Sequence, residues 1–230
     1  YIMKDASKIA AAYRITLFAT VAGTLASMIC TVLLAYVISR RNFKYRSVVS
    51  FVIMFTMLFH AGMFPSYYWI TNGLHLKNNL LVLILPGCVT AWNVLLMKSF
   101  FLSIPDEIVE AAAIDGCSNF GILFKIVLPL SKAALATVGL FTILRYFNDW
   151  QSSMLYMNEN RISIQYFLYK TLNNIAAAQA NTSVLQSYEV FPQEPVRMAI
   201  AVIAIAPIII IFPFLQKYFV KGVMIGAVKM

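Results

Sequence analysis

Residues 15–39 read ITLFATVAGTLASMICTVLLAYVIS and contain no charged side chain in 25 positions. A helix that crosses the roughly 30 Å hydrocarbon core of a membrane needs about 20 such residues. The whole chain of 230 residues has the same character, with 61% hydrophobic and 12% charged residues. Soluble domains contain about 45–50% apolar and about 25% charged residues, and disordered chains are more polar still. The composition therefore excludes both classes and indicates a membrane protein.

Four further apolar stretches follow the first one along the chain. We predict membrane spans at about residues 13–39, 47–73, 78–101, 127–150 and 196–219. Each span should be α-helical, because lipid offers no hydrogen-bond partner to backbone N–H and C=O groups. Pro65, Pro86 and Pro207 lie inside these spans and are expected to kink them. The predicted fold class is all-α, a polytopic membrane protein with a single transmembrane domain over residues 1–230.

The basic residues indicate how the spans are oriented. The connection at 39–47, SRRNFKYRS, carries four basic residues, whereas the connection at 71–79, TNGLHLKNN, carries one. Short loops rich in Lys and Arg stay in the cytoplasm, so the first connection is predicted inside and residues 151–195 outside. The net charge of +9 then belongs to cytoplasmic loops rather than to a nucleic-acid surface. In this topology Tyr1 lies on the extracellular side of the membrane, so we expect a sixth span before it.

The cytoplasmic connection at 103–130, SIPDEIVEAAAIDGCSNFGILFKIVLPL, has the most distinctive pattern. Ser103 followed three residues later by Asp106 has the form of a capping box, which predicts a helix start. Asp115-Gly116 is expected to end that helix, with the glycine in the left-handed region, and Ser118 to cap a second short helix. The alanines beside Glu110 are small, and small side chains let a helix sit close to another surface.

These residues resemble the EAA loop of ABC importer permeases. The matching positions within residues 103–129 are Glu110, Ala111, Ala112, Asp115, Gly116, Phe124 and Pro129. Residues 213–229, PFLQKYFVKGVMIGAVK, are similar to the carbohydrate-uptake branch, which includes the maltose-transporter permease and oligosaccharide permeases of Gram-positive bacteria. One departure is Ala133, where relatives often have proline. The resemblance covers almost the whole chain.

The resemblance implies the transmembrane domain of a type I ABC importer in a bacterial cell membrane. Its implied partners are a second, unlike permease, two ATPase subunits, an extracellular solute-binding protein and membrane lipid. The implied cargo is a carbohydrate, in particular an oligosaccharide. The loop at 103–129 would then be the coupling helix seated in an ATPase. ATP and Mg²⁺ would be bound by that ATPase and no cofactor by this chain, which has no GxxxxGK[ST] loop and is expected not to be an enzyme.

Polar and aromatic residues near the ends of the spans are candidates for the sugar path, because aromatic faces stack on sugars and amides bind hydroxyls. The candidates are Tyr67, Trp69, Trp92, Asn93, Tyr146, Asn148, Asp149 and Trp150. The alternative for these residues is an aromatic belt at the membrane interface. Arg145, inside a predicted span, is either an interfacial anchor or a functional intramembrane charge.

Two other functions stay open at this point. One is a permease of the same fold for another small solute, and the other is a membrane channel or scaffold without ATP coupling. The loop at 103–130 argues against a channel, which has no use for a docking helix made of small residues. Cys30, Cys88 and Cys117 are far apart in the sequence and fit neither a metal site nor a disulfide framework.

Overall fold

A computed structural model describes residues 6–180, together with the isolated positions 198, 202 and 209. The part described is helical throughout and contains no strand. Its α-helices are α1 Ala6–Ser39, α2 Arg46–Leu58, α3 Met63–Tyr68, α4 Ala91–Leu102, α5 Asp106–Ile114, α6 Asn119–Ile122, α7 Leu128–Leu130, α8 Lys132–Phe147, α9 Gln151–Tyr156 and α10 Ile164–Ala180. The predicted span at 196–219, the motif at 213–229 and residues 181–195 of the predicted outside loop lie outside the described residues, apart from those isolated positions.

Helix α1 is the central element of the fold. Its 34 residues extend over about 51 Å and contain the whole first predicted span. It packs mainly against α4 and α8, with its C-terminal end in the largest hydrophobic cluster and its N-terminal end against α10. There the Thr16 hydroxyl accepts a hydrogen bond from the Ile164 N–H at 2.9 Å. The helix thus connects the two ends of the protein.

The three other predicted spans that the structure describes are sharply bent, whereas we predicted continuous helices with kinks. Chain direction changes by 112° between Arg46–Leu58 and Met63–Gly73, by 47° between Leu80–Gly87 and Ala91–Leu102, and by 84° between Asn119–Leu130 and Lys132–Phe147. Within the described residues, one helix is long and apolar enough to cross a membrane alone, and up to four spans result if each bent pair counts as one. The number of spans therefore stays a prediction.

Local backbone chemistry accounts for these bends. Phe59 has extended angles, φ −117° and ψ 107°, which end α2, and Gly62, with φ +87°, sets the new direction in which α3 begins. Pro86 lies in a 3-10 turn, Leu85–Gly87, and has no N–H to donate to a longer helix. Ser131, two residues after Pro129, has φ −102° and ψ 21°, which separates α7 from α8. The broken segments leave backbone carbonyls that need partners from neighbouring helices.

Cysteine labelling in intact cells tests the predicted topology. In a background without Cys30, Cys88 and Cys117, we expect an impermeant maleimide to label Asn173→Cys in α10 and to miss Asn42→Cys in the basic connection, because the Lys and Arg asymmetry places these residues on opposite sides. Both side chains are exposed, so burial does not limit the reaction. Permeabilised cells, in which both should react, are the control. Labelling of Asn42→Cys alone in intact cells would reverse the orientation.

Candidate functional site

The helix at the start of the EAA-like motif, α5, begins differently from our prediction. Pro105 occupies the N-cap with φ −54° and ψ 134°, and no side chain caps the helix. The Ser103 hydroxyl donates instead to the Phe100 carbonyl at 2.7 Å. The capping-box prediction was therefore wrong, because Ser103 still has helical angles at the end of α4 and its hydroxyl bonds back into that helix.

The end of α5 confirms the prediction for Asp115-Gly116. Gly116 has φ +81°, its N–H donates to the Ala113 carbonyl at 3.1 Å, and the Cys117 N–H donates to the Ala112 carbonyl at 3.0 Å. These two bonds form a Schellman motif, which needs a residue in the left-handed region. Ser118 then caps α6, with its hydroxyl accepting from the Gly121 N–H at 3.2 Å. The chain thus reverses sharply between two short helices.

The helices α5 and α6 pack against the C-terminal end of α1. Ala112 is buried in the same hydrophobic cluster as Ile122 of α6 and Ile38 of α1. The Tyr36 hydroxyl donates to the Asn119 carbonyl at 3.0 Å, and Arg41 pairs with Asp106 at 2.7 Å. The ion pair is exposed and contributes little, about 0–1 kcal/mol. The buried contacts therefore hold α5 and α6 against α1.

The face of α5 and α6 that points away from α1 is exposed and largely apolar. Glu110 and Ala111 are exposed, as are Asp115, Gly116 and Pro129. We call the following exposed residues the coupling surface: Ile108, Glu110, Ala111, Ile114, Phe120 and Phe124. Ile114 is 86% exposed and Phe120 67% exposed, although both are large apolar side chains in a segment that is predicted to lie outside the membrane. The surface therefore has the character of a docking site for another protein.

Sequence reasoning missed three members of the coupling surface. Ile108, Ile114 and Phe120 are apolar, and we interpreted them only as part of two short helices. Their spacing relative to Val109 and Ala112, which pack against the core cluster, could have identified them as exposed. In a helix that buries positions 109 and 112, positions 110 and 114 lie on the opposite side. An apolar residue at 114 on the outer face is thus a sign of a partner.

The path candidates near the end of α8 have mixed roles. The Trp150 ring stacks on Tyr169 of α10 with centroids 4.4 Å apart. Asn148 is exposed and its side-chain oxygen is 3.5 Å from the Gln165 amide nitrogen. The Asp149 carboxylate accepts from the Ser152 N–H at 3.0 Å, so it caps the first turn of α9. Trp150 and Asn148 therefore stay candidates for the sugar path, each with a contact to α10.

The remaining candidates do not gather into one site in the described chain. Tyr146 is 5% exposed and its hydroxyl donates to the Ile84 carbonyl at 2.9 Å. Asn93 is 4% exposed and donates to the Thr142 hydroxyl at 3.1 Å. The structure thus places both in the core and not on an open surface. Trp69 and Trp92 are exposed, and Tyr67 stacks on Tyr156 at 5.6 Å.

An exposed ion pair connects α10 to the 3-10 turn Glu159–Arg161 that precedes it. Lys170 donates to the Glu159 carboxylate, and this hydrogen bond lowers the pKa of Glu159 and raises the pKa of Lys170. The pair is therefore present between the two pKa values and is lost when Glu159 is protonated in acid or Lys170 is deprotonated in base. Both side chains face solvent, so the pair positions the segment more than it stabilises the fold.

Comparison with known proteins assigns the family. The sequence profile described as "Binding-protein-dependent transport system inner membrane component" matches residues 23–225. A polygalacturonan/rhamnogalacturonan transport system permease protein of Bacillus subtilis is 39% identical over 94% of this chain and 75% of its own length. An arabinooligosaccharides transport system permease protein of the same organism is 30% identical over 90% and 69% of the two chains.

A solved structure is similar over nearly the same extent. It belongs to a bacterial ABC transporter involved in the import of the acidic polysaccharide alginate, with a TM-score of 0.80, 34% identity, and coverage of 92% of this chain and 75% of that one. The all-α fold and the resemblance to ABC importer permeases are therefore confirmed. With these matches, the chain belongs to the family of inner membrane components of binding-protein-dependent transport systems, and it is a transport subunit of the cell membrane.

Proposed function

We propose that this chain, with a second and non-identical permease, forms the membrane path of an ATP-driven importer for an oligosaccharide. Several relatives are named as permeases for saccharides, including polygalacturonan/rhamnogalacturonan, arabinooligosaccharides and galactooligosaccharides. An extracellular binding protein delivers the sugar, and two ATPase subunits supply the energy. ATP and Mg²⁺ are bound by those ATPases, and this chain contributes the path and the mechanical coupling.

The coupling surface is the observation that carries this proposal. Its apolar side chains, Ile114 and Phe120 above all, gain stability when a partner removes them from water. Glu110 is placed to accept a charge-assisted hydrogen bond from a basic residue of that partner. A permanently open channel needs neither feature. The surface therefore fits an ATPase subunit that binds from the cytoplasm.

The attachment of α5–α6 to α1 suggests how the coupling surface acts. A displacement of α5 is passed on through Ala112, Ile122 and Ile38, which are packed in one buried cluster. Packed interiors transmit displacement because they have few voids. Because α1 also contacts α8 and α10, the same movement reaches the outer end of the protein. Closure of the ATPases would in this way change the access of the path.

Reconstitution tests the proposal directly. The chain, assembled with its neighbouring permease, ATPases and binding protein in liposomes, should accumulate an oligosaccharide only when ATP is inside. Omission of the binding protein and replacement of ATP by a non-hydrolysable analogue are the controls. Downhill flux that persists without ATP would indicate a channel. Accumulation of an amino acid in place of a saccharide would indicate a permease of the same fold for another solute.

Trp150 tests the sugar path at the outer end. Trp150→Ala removes the ring that stacks on Tyr169, and aromatic contacts of this kind contribute about 0.5–1.5 kcal/mol. We therefore expect sugar uptake by the assembled importer to fall about two- to tenfold. Trp150→Phe, which keeps an aromatic ring, is the matched control and should retain most of the uptake. Normal uptake by both variants at equal membrane levels would leave Trp150 as an interfacial anchor.

A further inference from the structure

Arg145, in the last turn of α8, has an unusual set of partners. Its Nη2 donates to the backbone carbonyl of Gly87, and its guanidinium lies 4.6 Å from the centroid of the Tyr146 ring. The approach depends on the glycine, because a Cβ at position 87 would lie 2.6 Å from Nη2 and 2.9 Å from Nη1. No carboxylate of residues 6–180 lies within ion-pair distance of Arg145. Within residues 6–180, the guanidinium is therefore held in place without an acidic partner.

The depth of this charge follows from the contact between α8 and α1. The Tyr146 ring lies so close to Gly23 that a Cβ there would be 2.6 Å from it. Gly23 is 16 residues before Ser39, the cytoplasmic end of the charge-free stretch, and 8 residues after Ile15, its outer end. At 1.5 Å per residue these separations are about 24 Å and 12 Å. Arg145 is thus inside the predicted hydrocarbon region, in its outer half.

The side of α8 that carries Arg145 is exposed and not uniformly apolar. Phe141, Arg145 and Asn148 follow one another at helical spacing, and all three are exposed. A charged side chain at this depth is costly in lipid, and such residues face a bundle interior or a water-filled cavity. The Gly87 carbonyl uses one of the five guanidinium N–H donors, which leaves donors free.

We infer that Arg145 binds the carboxylate of a uronic-acid residue in the transported oligosaccharide. This inference rests on the proposed function, since it names the substrate class of the same path. A guanidinium binds a carboxylate through two parallel hydrogen bonds, which gives orientation as well as attraction. The Tyr146 ring and the Gly87 carbonyl hold the guanidinium plane before the sugar arrives. Asn148, one turn away on the same side of α8, offers an amide to a sugar hydroxyl.

Uptake of two matched trisaccharides by the reconstituted importer tests this inference. The probes are trigalacturonate and its fully methyl-esterified form, which share a sugar backbone and differ in charge. For Arg145→Gln we expect uptake of trigalacturonate to fall roughly ten- to a hundredfold, and uptake of the ester to change less than about twofold. Arg145→Lys, which keeps the charge but not the paired donors, should lie between. Lys132→Gln, at the other end of α8, removes the same charge and should affect neither probe.

The other outcomes are distinguishable. An equal loss for both trisaccharides in Arg145→Gln, with Arg145→Lys fully active, would assign Arg145 to anchoring the Gly87 segment and overturn the inference. Wild-type uptake of the ester but not of trigalacturonate would also overturn it and leave the importer function intact. Failure of the wild-type assembly to accumulate any saccharide with ATP present would overturn the proposed function itself.

Discussion

Replacement of Glu110 by lysine, or of Gly116 by valine, is expected to abolish uptake while the permease still inserts in the membrane. Glu110 is the carboxylate of the coupling surface, and its expected partner is an arginine of the ATPase. Removal of one member of a shielded ion pair costs about 3–5 kcal/mol. That is a loss in affinity of more than about a hundredfold. Gly116 acts through the backbone, because φ +81° costs about 1–3 kcal/mol for other residues.

Matched controls separate these two causes. No atom lies within 4 Å of a Cβ built at Gly116, so the valine is strained by conformation and not by contact. Gly116→Asn should therefore keep transport, because asparagine adopts left-handed angles more readily. Glu107→Lys changes the charge of α5 equally, one turn before Glu110, and should affect transport less. The measurements are ATP-dependent uptake and the ATPase that copurifies with the permease. Normal coupling in both Glu110→Lys and Gly116→Val would remove α5 from the interface.

Gly23→Leu is expected to prevent assembly of the helical core, and Gly23→Ala to weaken it. A Cβ at position 23 would lie 2.6–2.8 Å from three atoms of the Tyr146 ring, closer than side-chain carbons come in proteins. Overpacking of this kind costs about 1–3 kcal/mol. A shift of the ring would also break the hydrogen bond to the Ile84 carbonyl and leave a buried polar group unpaired.

Gly139→Ala is the control for this prediction. Gly139 also lies in a long apolar helix, α8, but no atom is within 4 Å of a Cβ built there. Alanine favours a helix over glycine by about 1 kcal/mol, so this variant should be as stable as wild type or more so. Thermal unfolding in detergent and the yield of monodisperse protein measure the difference. Equal melting temperatures for Gly23→Ala and Gly139→Ala would mean that α1 and α8 are not packed as closely as described.

Of the two alternative functions, the channel or scaffold is excluded by the family match, whereas a permease for another small solute stays open. The family match over residues 23–225 identifies a subunit of a binding-protein-dependent system, which a channel or scaffold is not. The choice between a saccharide and another solute rests on the relatives' names and on the path. Arg145 and Trp150 are the two residues through which that choice can be tested in this chain. Their variants separate charge recognition from aromatic stacking.

The membrane environment, the all-α fold class and the turn between α5 and α6 could all be predicted from the amino-acid sequence. These depend on local or additive properties. Hydrophobic runs need no knowledge of neighbours, and the left-handed glycine at 116 and the cap at Ser118 form through bonds within a few residues. The local shape of residues 103–129 past the start of α5 could therefore be predicted, while their coupling role stays a proposal.

Packing in the folded protein sets which polar and aromatic residues are buried and where the spans bend, and neither could be predicted from the sequence. Tyr146 and Asn93 have the same character in the sequence as Trp150 and Asn148, yet the first two satisfy groups in the core. The Arg145 contact joins residues that are 58 positions apart, and the Gly87 carbonyl is available for it because the 3-10 turn Leu85–Gly87 ends at that residue. Such partners are set by packing between distant helices, which local sequence patterns do not encode.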